Sequence, residues 1–540
     1  MFLGFVPCCG ETPGHFFPMV IHWLQITKHF DMESHTYLLP PDFSEKKLRK
    51  KLPVKSSYSI SLDGGETQET TLLDTFDGEV HASNKLLFQL PKRLLLADLT
   101  SGGFVEQEHT GEWSLAEDLA EGPVASQLLD ISKLRAFLPI AEATLRCERG
   151  GLLDDESKTR ARFQNMVLGA DGKIVGITTT NYLRGYDKAY GDLCASLEKI
   201  GATPYRNTRE IYDLLGTNLR EYTAKPSITL LPQGPAKESA TMTIRSFLSV
   251  ARQNEEGIIA DYDTEFLHDY RVSLRKVRSV LSLFKGVYNG EETTSLKEEF
   301  SGLMRQTNLL RDLDVYLLNR SQYFQLVPDD THEGLTILFD YISSLRRKEQ
   351  KKVRKILRTK NYNQQMKQLK KLFADDSRLA SGPKGGVDSL GYACRLVIKR
   401  YRKVCSIART INKHTDDAVV HELRINCKKL RYLMEFFAPL FPASEIKTLI
   451  KALKLLQDNL GNFNDYSVQQ LFLRQMLGDK MVTFGRDQLQ VAESIGALTA
   501  MLHRLQLKER GQVMKNFARF DSVETRNAFT DLFQTKGRAA

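Results

Sequence analysis

The sequence predicts two architectures in one chain: an α+β region built on an antiparallel sheet, then a region that is nearly all helix. Three observations carry that expectation. Short β-rich stretches punctuated by turn signals end near residue 205, apolar periodicity of 3.6 residues dominates beyond residue 238, and the proline-bearing stretch "KPSITLLPQGP" (225–235) opposes regular structure between them. At 540 residues the chain is also too long for one ordinary core.

The first 31 residues are rich in aromatics, Pro and Gly but lack the basic start of a signal peptide. Met32 offers an alternative start, so residues 1–31 are expected to be a disordered or mis-assigned leader. From 32 to 205 the strand candidates include "SYSISL" and "KIVGITTTNYL", with turns at Asp63-Gly64-Gly65 and Asp171-Gly172. The amphipathic "AYGDLCASLEKIG" reads as a helix capped by Gly201. Gly102-Gly103 and Gly150-Gly151 read as turns, since no lysine and Ser/Thr follow them as a phosphate loop requires. The linker is placed at 206–238 and the helical domain at 239–540.

Charge separates the halves. Residues 1–235 hold 25 Lys and Arg against 31 Asp and Glu, a balance of −6, whereas 236–540 hold 51 against 35, or +16. A polyanionic partner for the second half follows as an expectation. Residues 346–371 alone contain twelve Lys and Arg against the single acid Glu349, and "IKRYRKVCSIAR" follows from Ile398; such runs are commonly solvated faces. The seven cysteines show neither CxxC nor a paired framework, which fits free thiols in a cytoplasm and no zinc site. His35, His81 and His109 lack partners at metal-ligand spacing, and no apolar run reaches the roughly 18 residues of a membrane span.

The most informative feature is a cadence written twice, "HDYRVSLRKVR" from His268 and "HELRINCKKLR" from His421. On a helix, offsets of 0, 3, 7 and 10 residues fall within roughly 80° of one another. His268, Arg271, Arg275 and Arg278 therefore form one ridge, and His421, Arg424, Lys428 and Arg431 another, with Lys276 and Lys429 on the flanks. Leu274, Val277, Leu281 and Phe284 back the first ridge; Cys427, Leu430, Met434 and Phe437 back the second. The echo continues in "NLLRDLDV" (308–315) and "NLGNFNDY" (459–466), so two similar helical halves are expected. Facing cationic ridges repel unless an anion or water lies between them. The competing reading, core histidines and solvated cations, accounts for one ridge more readily than for two in register.

These residues make the helical region resemble the CHAD family, the conserved-histidine α-helical domains, over about 239–520. The resemblance implies two pseudo-symmetric helical bundles with a basic groove or pore that binds inorganic polyphosphate. It points to His268, Arg271, Arg275, Lys276 and Arg278, with His421, Arg424, Lys428, Lys429 and Arg431, and less directly to Arg311, whose place Asn462 takes in the second half. Arginine forks match phosphate oxygens in pairs, and lysine adds point charge. No nucleophile or metal cage accompanies the ridges, so binding without catalysis and without a cofactor is expected.

Residues 32–205 resemble the CYTH family more faintly, through "LLDTFDGEVHASNKLLF", "DDESKTRARFQ" and "LRGYDKAYGDL". That family's fold is an antiparallel β-barrel tunnel for triphosphate and a divalent metal, and it occurs ahead of CHAD domains. Lys158, Arg160 and Arg162 alternate as a tunnel wall would. The family's ExExK strand is replaced by Glu33-Ser34-His35-Thr36-Tyr37, and Phe88, Gln89 and Leu90 stand where arginines usually alternate. A metal needs a carboxylate cluster, so a degenerate tunnel domain without hydrolysis is expected. The expected whole is a cytoplasmic polyphosphate-binding adaptor or granule-associated factor, with no membrane partner. The alternatives are a metal-dependent triphosphatase or polyphosphatase in the N-terminal region and an RNA-binding protein.

Overall fold

The computed structural model describes residues 34–52, 58–217, 219, 221–412, 414–478 and 484–535, so the leader 1–31 and Glu33 lie outside them. Two compact units interleave in sequence. One takes residues up to 73, 81–108 and 139–218; the other takes 74–80, 109–138 and 219–540.

The first unit is built on strands β1 (His35–Leu39), β2 (Ser59–Asp63), β3 (Gln68–Thr75), β4 (Lys85–Leu90), β5 (Arg93–Asp98), β6 (Gly103–Glu108), β7 (Phe137–Leu153), β8 (Thr159–Ala170), β9 (Lys173–Asn181) and β10 (Thr203–Pro204). They form one antiparallel sheet in the order β10-β1-β9-β8-β7-β3-β4-β5-β6, with β2 paired to β7. Among the described residues the path does not close, so the barrel implied by the resemblance is an open sheet. Asp171 and Gly172 both take positive φ (48° and 75°), the backbone that a two-residue β8–β9 hairpin requires. Gly150 and Gly151, read above as a turn, lie within β7. A Cβ on Gly150 would meet the Phe163 ring at 2.3 Å, so that glycine admits an aromatic side chain from β8. Helices α1 (Glu45–Lys51), α2 (Glu79–Ala82), α3 (Pro123–Ile131), α4 (Asp187–Lys199) and α5 (Thr208–Leu215) fall between the strands in sequence, with α3 in the 109–138 segment of the second unit. α4 ends as its sequence predicts, with Gly201 at φ 92°, and α5 occupies part of the predicted linker. Phe163, Leu193 and Leu197 anchor the apolar core of this unit.

The second unit is helical: α6 (Ala236–Ala260), α7 (Thr264–Leu283), α8 (Gly290–Arg305), α9 (Asn308–Leu318), α10 (Arg320–Leu326), α11 (His332–Leu357), α12 (Lys360–Leu372), α13 (Ser389–Ala408), α14 (Asp417–Phe437), α15 (Ala443–Gly478), α16 (Gln488–Phe520) and α17 (Val523–Thr530). The repeat is visible in the starts of its elements. α6 and α13 begin 153 residues apart, as do α8 and α15, and the two histidines have the same spacing. In the first half Gln306 and Thr307 separate α8 from α9; the second half lacks two residues there, and α15 runs through as one helix of 36 residues. One core joins Leu274 and Val277 of α7 to Leu430 and Met434 of α14, while a second joins α9 and α11 to α15 and α16. Each core therefore draws on both halves.

Phe284 and Phe437, equivalent across the repeat, stack with centroids 4.6 Å apart and planes 12° apart. An equivalent pair in mutual contact marks the axis that relates the halves. Phe76 and Arg135 also belong to this unit's interior. The Arg135 side chain, 5% exposed, reaches Asp269 at 2.6 Å and Asp77 and Asp263 at 3.4 Å, and lies 5.0 Å from the Phe266 ring centroid. Asp263 also caps α7, accepting from the backbone of Glu265 and Phe266.

Candidate anion site between the repeated helices

α7 and α14 each bury an apolar stripe, and the opposite offsets carry the cations, as the cadence requires. The helices bring His268, Arg271 and Arg275 together with Arg311 of α9 and Arg424 of α14 around a cavity of about 570 Å³. Asn462 and Asp465 of α15 and Asp312 of α9 add to its polar wall. Four guanidiniums thus face two carboxylates in one concave space.

In the first half the ridge is tightly held. Arg271 donates to the Met304 carbonyl at 2.9 Å, to Thr307 Oγ1 at 2.7 Å and to Asn308 Oδ1 at 2.9 Å. Arg311 donates to His268 Nδ1 at 2.7 Å. Burial, then the Arg311 charge, pushes the His268 pKa down to about 4, so the ring is neutral at pH 7 and keeps Nε2–H as a donor. Arg275 Nε and Arg311 Nη1 are buried without a hydrogen-bond partner among the described residues. Each such group carries a desolvation cost until an acceptor arrives.

The second ridge is more open. His421 is exposed and donates from Nδ1 to Asn464 Oδ1 at 2.9 Å, so its partner is Asn464 and not the motif-aligned Asn462. Arg424 lies 3.5 Å from Asp465. Burial, then Arg275, Arg424 and Arg431, pushes Lys428 down to about 8. Arg275 and Arg424 line the same cavity, so the two ridges lie close together.

The remaining predicted residues lie off the cavity wall. Lys276 sits 4.6 Å from the Phe247 ring centroid and 3.9 Å from Glu435, which Arg431 also contacts at 3.0 Å. Arg278 reaches Met304 Sδ at 3.6 Å. Lys429 is pushed down by burial and then by Arg400 and Lys403 of α13, with Glu422 opposing. The motif-aligned acids also diverge: Asp314 is buried against Arg346 at 2.9 Å, whereas Asp465 is exposed. Asn464 was missed as a site residue because "NFND" offers two asparagines and only helical phase selects between them.

Of the 346–371 run, Arg346 is half-buried and Arg354 donates to the Ile259 carbonyl at 2.7 Å, capping α6; Lys351, Lys352, Lys370 and Lys371 face solvent. In the β unit, a cavity of about 670 Å³ is lined by Arg149, Arg162 and Asn181, with Asp63 its one carboxylate among the described residues. Arg160 instead pairs with Asp154 and stacks 4.5 Å from the Tyr186 ring centroid, and Lys158 is exposed. Phe88 and Leu90 are buried. Among the described residues no group of three or more His, Cys, Asp or Glu is gathered to hold a metal, and no helix is long and apolar enough to cross a membrane.

The CHAD domain family model matches residues 243–474, and this part of the chain is a CHAD domain. The chain is similar in structure to the CHAD domain from the plant Ricinus communis, with 22% identity and a TM-score of 0.46, covering 55% of this chain and 96% of that one. It is also similar to PptA from Streptomyces chartreusis, with 11% identity and a TM-score of 0.41, covering 52% and 99%. No curated protein matches the chain.

Proposed function

We propose that the chain binds inorganic polyphosphate in the cavity between α7, α9, α14 and α15, as an adaptor or granule-associated factor without catalysis. The observation that carries the proposal is the convergence of Arg271, Arg275, Arg311 and Arg424 on one cavity, with buried guanidinium nitrogens of Arg275 and Arg311 lacking acceptors. A phosphate chain supplies an acceptor every few ångströms and enough charge to relieve the repulsion between the ridges. His268 adds a neutral N–H donor. In the β unit, Arg149 and Arg162 suit weak anion binding, and Asp63 alone is a poor metal seat.

The test is polyphosphate binding by the full chain across a salt series, wild type against the combined Arg271→Ala, Arg275→Ala, Arg424→Ala and Lys428→Ala variant. The expected result is tight binding that weakens steeply with salt in the wild type, and a loss of roughly a hundredfold in a variant that remains helical. Equal binding by the two proteins would remove the ridges from the site. RNA that displaces polyphosphate at matched salt would favour a nucleic-acid function, and phosphate release from tripolyphosphate with Mg²⁺ would establish an enzyme.

A further inference from the structure

α14 separates two cationic spaces. On its far side from the ridge, Lys285, Lys384, Arg395, Lys399, Arg400 and Lys403 surround a cavity of about 710 Å³ that shares no lining residue with the first. Arg395, Lys399 and Lys403 are four residues apart on α13 and so stand on one face of it. Lys403 pairs with Glu422 at 3.1 Å, and Arg400 donates to Asn426 Oδ1 at 2.6 Å. Arg395, Lys399, Lys285 and Lys384 are exposed and make no ion pair with a described carboxylate. The floor is apolar, formed by Leu283, Leu433 and Tyr392.

The repeat shows that the fold does not need these cations. At the 153-residue offset that relates the halves, Arg395, Lys399, Arg400 and Lys403 correspond to Met242, Ser246, Phe247 and Val250 of α6. In the first half Lys276 rests on the Phe247 ring. In the second, Arg400 stands where Phe247 does, and the equivalent Lys429 has its ammonium pushed down by burial and then by Arg400, Lys403 and Lys285, with Glu422 opposing. A favourable cation–ring contact has been replaced by like charges at the same position. Glu422, paired with Lys403, is one carboxylate among these cations, so the group stays net positive and a bound anion would offset the remaining repulsion.

We propose that this cavity is a second anion site, for a small organic phosphate that carries two or more phosphates on an apolar or aromatic body. The volume lies within the range of small-molecule pockets, roughly 300–1,000 Å³. The cations meet the phosphates, and the Leu283, Leu433 and Tyr392 floor covers a ring or hydrocarbon that an inorganic chain does not have. The site stands independently of the polyphosphate reading of the ridges.

The experiment is equilibrium binding of ATP and of tripolyphosphate to the full chain at one ionic strength, without divalent metal. Three proteins are compared: wild type, Arg395→Gln with Lys399→Gln, and Arg271→Ala with Arg424→Ala. Both α13 positions are exposed, so the fold is retained, and circular dichroism and melting verify it. The expected result is at least a tenfold loss of ATP affinity in the α13 variant, with tripolyphosphate binding at the ridges within twofold of wild type. The ridge variant should show the reverse. Absence of ATP binding to wild type, or ATP affinity unchanged in the α13 variant, would overturn the proposal. So would tripolyphosphate filling the α13 site as tightly as ATP, since the apolar floor would then play no part. A failure confined to the ridge variant would count against the polyphosphate reading alone.

Discussion

Around α7 every residue of the repeated cadence is half-buried; around α14 the leading histidine is exposed and the other three are half-buried. His268 accepts a hydrogen bond at Nδ1 from Arg311, whereas His421 donates from Nδ1 to Asn464, so one sequence position plays opposite hydrogen-bonding roles in the two halves. α7 starts in a buried ion cluster of Arg135, Asp263 and Asp269, while α14 starts where Asp417, largely exposed, pairs with Arg510. The first half holds its cations on carbonyls and amides and leaves buried nitrogens for a ligand; the second leaves Arg424 to a solvent-exposed aspartate. A repeat therefore sets where the cations stand, and the packing around each copy sets what they can do. We read the first half as the rigid wall of the site and the second as its adjustable one.

That contrast can be broken most forcefully at the helix starts. Arg135→Ala leaves Asp263 and Asp269 buried without their cation and should cost about 3–5 kcal/mol of stability, whereas Arg510→Ala should cost about 1 kcal/mol or less. Thermal and urea unfolding of the two variants measures the difference, and equal losses would contradict the contrast.

The histidines give the next largest effect. His268 titrates near pH 4 in the folded protein against about 6.5 unfolded, so its contribution is complete above pH 6.5 and is lost as pH falls toward 4. A shift of that size corresponds to about 3 kcal/mol at full extent. Unfolding measured from pH 7 to 4 should show His268→Asn flattening the acid limb relative to wild type, and an unchanged limb would remove His268 as its source.

For ligand binding the expected differences are smaller. Arg275→Ala should weaken polyphosphate by about 2 kcal/mol, or roughly thirtyfold, because it removes a charged donor with few competing partners. Arg424→Ala should cost only a few-fold, since Asp465 already claims that guanidinium. Isothermal titration of the single variants at one salt concentration separates them.

A pH profile of binding sharpens the picture at Lys428. Lys428 titrates near pH 8 without ligand, and a bound anion raises its pKa toward the ordinary lysine value. The complex then holds more protons than the free protein above pH 8, so affinity should fall as pH rises from 7.5 to 9.5, by roughly tenfold if one pKa unit is restored. Lys428→Arg should flatten that profile.

Much of this molecule was legible in the sequence because it is local and periodic. The ridges, their apolar backs, the Asp171-Gly172 hairpin and the Gly201 cap follow from residue spacing and from φ preferences that neighbouring residues enforce. Repetition then exposed the two halves, because equal spacing survives where individual residues change. The choice of Asn464 over Asn462, the Arg311 contact of the half-buried His268 and the capture of Arg135 by the helical unit depend on partners 43 to 134 residues away in sequence, and no spacing rule encodes them. Gly150 and Gly151 misled for the same reason, since only the approach of the Phe163 ring explains glycine within a strand. The sequence by itself determined which side chains are cationic and which helix face they share. Tertiary structure alone decided which of those cations are desolvated together, because desolvation and Coulomb repulsion depend on what packs against a helix face and not on the order of residues along it.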